Sequence, residues 1–225
     1  MQPKKIAFIG ANNPETARMI SAINSTQSNT PEFVGFIDSD PKKANTHFLD
    51  YPVFGGYETA KPLIKKGISF VNLITRDCIT RLETSLKIKN LGGNFTNFIH
   101  PNVNLEMVKM GVGNYIQENV ILQANCSIGN NSSIHMGSLI GHETVIGNSV
   151  FIAHGCNISG LVEINDCVFI GTGVSIIPRV TIGPFSIIGA GTVVIGDIPP
   201  HSVVVGNPGK IIKKHKTKHL HGNII

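Results

Sequence analysis

The stretch Ser138-Leu-Ile-Gly-His-Glu-Thr-Val-Ile-Gly-Asn-Ser-Val150 contains one pattern twice, and the pattern runs from Cys126 to Val194. Stepping by six from Ile128 meets Ile134, Ile140, Ile146, Ile152, Ile158, Ile164, Ile170, Ile176, Ile182, Ile188 and Val194 without a slip. Two residues before each stands a small or β-branched residue, from Cys126 through Thr144 and Cys156 to Thr192. Neither the 3.6-residue period of a helix nor the two-residue period of an ordinary strand makes this series. A fixed short period marks a repeat architecture. Each hexapeptide supplies one short strand with an aliphatic residue inward. Three hexapeptides close a coil, and stacked coils bury a continuous column of isoleucine. The expected fold is therefore mainly β: a C-terminal left-handed parallel β-helix, preceded by a small N-terminal Rossmann-like α/β domain. An irregular sandwich would need turn signals at wider, uneven spacing.

Before the ladder the pattern changes. Lys5 to Ile9 reads as a strand ending at Gly10, and Asn13-Pro14-Glu15 as a capped helix start. Ala17, Ile20 and Ile23 give that helix an apolar stripe, and Phe33 to Ile37 a second strand ending at Asp38. Tyr51 to Gly56 reads as a bend and Ile68 to Ile74 as a strand. Asp77 to Leu91 reads as a helix ended by Gly92-Gly93, and Asn94 to Ile99 as a last strand. The expected division is residues 1–99 for the α/β domain, 100–210 for the prism and 211–225 for a basic tail.

Ligands meet parallel α/β sheets at the carboxyl ends of the strands. That places Gly10, Asn12, Asn13, Asp38, Ser39, Thr75 and Arg76 around one crevice. The first loop has a single glycine, so a dinucleotide fingerprint is absent, while a nucleotide or nucleotide-sugar can still meet a helix N-terminus.

Composition narrows the classes. In 225 residues, 41% are apolar, 6% aromatic and none is tryptophan, which suits an isoleucine-rich core. The four cysteines have no metal-ligand spacing, and two of them lie in the small-residue series. The N-terminus contains no run long enough for a signal peptide or a span, so a cytoplasmic location is expected. The net charge is +5, with Lys210, Lys213, Lys214, Lys216 and Lys218 near the end. These form a solvated tail or attract a polyanion. No aromatic residues interleave with them, which argues against nucleic acid.

Ile99-His100-Pro101, the coils, Gly141-His142-Glu143-Thr144-Val145-Ile146-Gly147 and the closing Val205-Gly206-Asn207-Pro208 together resemble the bacterial nucleotide-sugar N-acyltransferases of the PglD type. Relatives acting on sialic acid and perosamine share this resemblance. It implies a homotrimer that transfers an acetyl group from acetyl-coenzyme A to the amine of a nucleotide-linked sugar, in surface-glycan biosynthesis. His142 would be the general base, Glu143 its partner, and the Gly160 N–H the oxyanion donor. Phe151, Gly160, Thr172 and Ala190 would lie along the coenzyme, and His135 close to the acceptor sugar. No metal and no membrane insertion are implied. The chain departs from the family pattern at Pro14, Ser39, Thr75-Arg76, His135 and Phe151. His142 lies two residues after an inward isoleucine, so it falls at an outward corner. Adjacent side chains on a strand diverge, so its pairing with Glu143 requires corner geometry. The alternatives are a sugar O-acetyltransferase, an acyltransferase for a small free acceptor such as serine, a trimeric sugar-binding scaffold and a zinc enzyme. The last would need histidines on matching levels.

Overall fold

The computed structural model describes residues 3–26, 30–75 and 77–215. Strands β1 (Lys5–Ile9), β2 (Glu32–Ile37), β3 (Thr46–Phe48), β4 (Tyr51–Val53) and β5 (Ser69–Asn72) form one sheet in the order β3-β4-β2-β1-β5. Helices α1 (Glu15–Thr26), α2 (Ala60–Lys65) and α3 (Cys78–Asn90) accompany it. Strands β1, β2 and β5 pair in parallel, which brings their carboxyl ends to one edge. The Asn13 side chain accepts the Glu15 N–H at 3.0 Å, and Asp77 caps α3 through the Thr80 N–H at 2.7 Å. The expected bend at 51–56 contains β4, a strand too short for alternation to reveal it.

The strands from Phe98 to Val194 are pairs of residues in three parallel sheets. One face holds Tyr115–Ile116, Ser133–Ile134, Phe151–Ile152, Phe169–Ile170 and Ile187–Ile188. A second holds Ile121–Leu122, Leu139–Ile140, Asn157–Ile158, Ser175–Ile176 and Val193–Val194. A third holds Lys109–Met110, Ser127–Ile128, Val145–Ile146, Glu163–Ile164 and Thr181–Ile182. The chain visits the faces in that order, so residues eighteen apart stack, as Ile134 does on Ile152 and Ile152 on Ile170. The ladder from Ile116 to Val194 is the core of this prism, with Cys126 and Cys156 buried inside it. The turns are made by residues with positive φ at every sixth position, including Asn131, Gly137, Glu143, Ser149, Gly155 and Leu161. They lie three residues after the inward residue, whereas the glycines next to the inward residue provide close approach between coils. A methyl group on Gly141, for example, would overlap the Gly160 nitrogen.

The α/β sheet and the prism share contacts. The expected strand 94–99 splits: Phe95 bridges Phe70, while Phe98–Ile99 pairs with Tyr115–Ile116 as the first rung of the first face. Phe98 packs edge-on to Phe8 at 5.0 Å and stacks on Tyr115 at 5.8 Å. Helix α3 covers the first face, where Cys78 and Leu82 pack on Phe151, Ala153 and Cys167. Arg81 of α3 is 1% exposed and holds the two parts together. It donates to the carbonyls of Asn131 and Ser132 on the prism and of Ile74 at the end of β5. Past the cis Asn207-Pro208 bond, Lys210–Lys214 turns back antiparallel to Ser202–Val205, instead of leaving the prism at once. Lys216 and Lys218 lie outside the described residues.

Candidate active site

The left-handed backbone of Glu143, with φ at 58°, folds its side chain back along the corner. Glu143 Oε2 lies 3.0 Å from His142 Nδ1, so the two neighbours do meet. Both side chains are more than half exposed. The His142 N–H is held by Gln123 Oε1 at 2.9 Å, which fixes the backbone below the ring. On the other side of the imidazole lies Gly160, one coil further on. A methyl group there would stand 2.6 Å from His142 Nε2. The N–H of Gly160 makes no hydrogen bond among the described residues, because position 141, which would match Gln123, is a glycine without a side chain. The corner thus presents an imidazole oriented by a carboxylate beside a free N–H.

A second concavity of about 560 Å³ lies between the carboxyl ends of β1, β2 and β5, the start of α1 and the corner between the first two faces. Gly10, Asn12, Asn13, Asp38, Ser39, Thr75 and His135 all line it. Arg76 lies outside the described residues. Asp38 has a different local role from a free ligand group. It accepts from the Ala11 N–H at 2.8 Å, the Asp40 N–H at 2.9 Å and Lys43 Nζ at 3.0 Å. Those bonds outweigh its burial, hold its carboxyl below the usual range and shape the 10–13 loop.

His135 is buried, with its ring 5.7 Å from Tyr115, 4.7 Å from Phe151 and 4.9 Å from His154. Burial, with His154 and Arg81 adding to it, pulls its pKa down to about 3, so the ring is neutral. Glu15, Tyr57, Gln117 and Met136 also line the cavity, unforeseen from sequence, and His154 lines it with them. A signal for His154 was present: it lies nineteen residues after His135, one coil plus one, and therefore at the same corner.

Thr172 and Ala190 stack in the column of His154, each a coil further, and both are exposed. Phe151 requires a correction as a coenzyme contact. It is buried beneath α3, stacked on Phe169 at 4.8 Å, and offers no open face to a ligand. Among the described residues no three His, Cys, Asp or Glu side chains converge as a metal site. His142 and the cavity stand at opposite edges of the second face of one prism.

No protein-family model matches the chain, and no curated protein matches it. Solved structures do. PerB of Caulobacter crescentus, a perosamine N-acetyltransferase solved with CoA and GDP-perosamine, is 27% identical. Its alignment covers 93% of this chain and 97% of that one, with a TM-score of 0.82. WeeI of Acinetobacter baumannii is 25% identical over 93% and 100%, with a TM-score of 0.79. The acetyltransferase domain of PglB from Neisseria gonorrhoeae shares the fold at 23% identity over 93% and 100%, with a TM-score of 0.82. The coils, the corner and these likenesses define a hexapeptide-repeat acyltransferase. The resemblance read from the sequence is the one the structural neighbours bear out: the chain is built like the nucleotide-sugar N-acetyltransferases of this type.

Proposed function

We propose that this chain is an acetyl-coenzyme A-dependent N-acetyltransferase acting on the amino group of a nucleotide-linked amino or dideoxyamino sugar, with His142 as general base. The observation that carries the reading is the His142–Glu143 pair set against the unpaired N–H of Gly160. The similarity to a perosamine N-acetyltransferase solved with CoA and GDP-perosamine supports the donor and the acceptor class.

The neutral amine of the sugar attacks the thioester carbonyl carbon. As the C–N bond forms, Nε2 of His142 takes the ammonium proton, while Glu143 at Nδ1 steadies the imidazolium. The carbonyl oxygen gains negative charge, which the Gly160 N–H meets. Collapse breaks the C–S bond, and the departing thiolate takes the proton from His142. The products are the acetamido sugar and free coenzyme A.

Residues 1–99, a Rossmann-like unit in this reading, hold the nucleotide in the cavity lined by Gly10, Asn13, Ser39 and Thr75. A homotrimer of left-handed prisms completes the site. Laying a second copy on the second face covers the exposed Ile121 and brings one chain's His142 corner to another chain's cavity. The coenzyme then runs between them past Thr172 and Ala190. Sedimentation should give three chains per particle. A cytoplasmic role in surface-glycan assembly fits a substrate that is a nucleotide sugar. The test is thiol release when acetyl-coenzyme A meets a panel of nucleotide amino sugars, and its loss in His142→Ala.

A further inference from the structure

We propose that the C-terminal end of the prism, built on the strand Lys210–Lys214, is a docking surface for an anionic lipid bilayer. This surface lies outside the site described above, and neither reading depends on the other.

The chain's net charge sits entirely at this end. The sequence holds 19 Lys and Arg against 14 Asp and Glu. Asp197 is the last acidic residue and five lysines follow it, so residues 1–197 carry as many positive as negative side chains. Three of those lysines, Lys210, Lys213 and Lys214, are exposed on the one strand. A concentrated positive patch attracts a polyanion. No Phe, Tyr or Trp follows Phe185, so this end offers no stacking platform for nucleic-acid bases.

The strand is the outermost of an eight-stranded sheet. Lysines on such an edge ordinarily keep other strands from pairing with it. That role leaves the isoleucines between them unexplained. Ile211 is 45% exposed and Ile212 is 60% exposed. Val205, the partner of Lys210 on the adjacent strand, is exposed as well. Ile212 is the extra residue of a β-bulge, because Val203 pairs with Lys213 and Val204 with Ile211. A bilayer takes both kinds of side chain at once. Lipid phosphates meet the ammonium groups while aliphatic tips enter the acyl boundary, and no shape complementarity is required. The contact is peripheral, since a strand of five residues is too short to span a bilayer.

The position of the strand leaves the rest of the molecule accessible. Phe98–Ile99 forms the other edge of the same sheet, about 34 Å away at one strand spacing per coil. The cavity lies towards that far edge, on Gln117, Met136 and His154. A chain seated by its lysine end therefore keeps the cavity open to solution.

The experiment is co-sedimentation of the full chain with phosphatidylcholine vesicles, with and without about 30% phosphatidylglycerol. Partition onto the anionic vesicles should be about 100-fold stronger and should vanish in about 0.5 M sodium chloride. Lys213→Glu combined with Lys214→Glu should weaken it at least about 30-fold. Ile211→Ser combined with Ile212→Ser should weaken it about tenfold and keep the salt response. All four substituted side chains are exposed, so the fold is kept. Equal partition onto the two kinds of vesicle, or none onto either, overturns the proposal, as does full binding by the lysine variant. Full binding by the isoleucine variant would reduce the surface to a solvated charge run and overturns it too. Displacement by coenzyme A at constant ionic strength would assign the lysines to that polyanion, with the same consequence.

Discussion

The imidazole of His142 rests against Gly160 of the following coil, close enough that a single methyl group at Gly160 would lie 2.6 Å from Nε2. The φ of Gly160 is not positive, so the glycine is needed for space and not for backbone freedom. Gly160→Ala should therefore displace the ring and obstruct the N–H while the coil still closes. We expect kcat to fall about 100-fold with a thermal midpoint within about 2 °C of the parent. Steady-state kinetics and calorimetric melting check both numbers.

Glu143 reaches His142 because its backbone is left-handed. Glu143→Gln keeps the shape and removes the charge that favours the imidazolium. We expect kcat to fall about tenfold, with KM for either substrate changed less than about twofold. A drop confined to KM would place Glu143 in substrate binding instead.

Arg81 holds three carbonyls across the junction between the α/β sheet and the prism. Arg81→Met leaves the carbonyl oxygens of Asn131 and Ile74 unmet, while that of Ser132 keeps the Tyr115 N–H at 2.9 Å. The cost should be about 3 kcal/mol, which lowers the unfolding midpoint by about 6–12 °C in a chain of this size. Differential scanning calorimetry at pH 7 gives the value directly.

His135 is neutral in the fold, with a pKa pushed from 6.5 down to about 3 by burial first and by His154 and Arg81 next. Between these values the unfolded chain binds the proton and the folded chain does not. Stability therefore falls as pH drops from 6.5 towards 3, by up to about 1.4 kcal/mol per pH unit from this group. Urea titrations at pH 7, 6, 5 and 4 should show the parent losing stability faster than His135→Gln. Parallel losses in the two proteins would remove His135 as the cause.

The prism was legible because one residue in six must face inward, and the Ile128 to Val194 series declares that constraint directly. The tips of β1, β2 and β5 were legible for a similar reason: apolar runs ended at Gly10, Asp38 and Thr75, and parallel pairing brought those ends together. What lay hidden depended on backbone conformation or on distant packing. Nothing in the residue types shows that Glu143 adopts positive φ and turns back onto His142. The resemblance laid Phe151 along the coenzyme, and only the packing of α3 shows it covered. Arg81 sat among polar helix residues and gave no sign of burial, because its partners are backbone carbonyls fifty residues away. His135 and His154 were on adjacent coils, and a count of eighteen plus one would have paired them.

The central claim is that His142 moves the proton when an amino group of a nucleotide sugar takes up an acetyl group. Mass spectrometry of reactions with acetyl-coenzyme A and uridine-, thymidine- and guanosine-diphosphate amino sugars tests it most directly. We expect one sugar class to gain a single acetyl group on nitrogen, with His142→Ala slower by about 1,000-fold while still binding the sugar. A variant that acetylates the same sugar at the parent's rate, or a parent that acetylates none of the panel, would contradict the account.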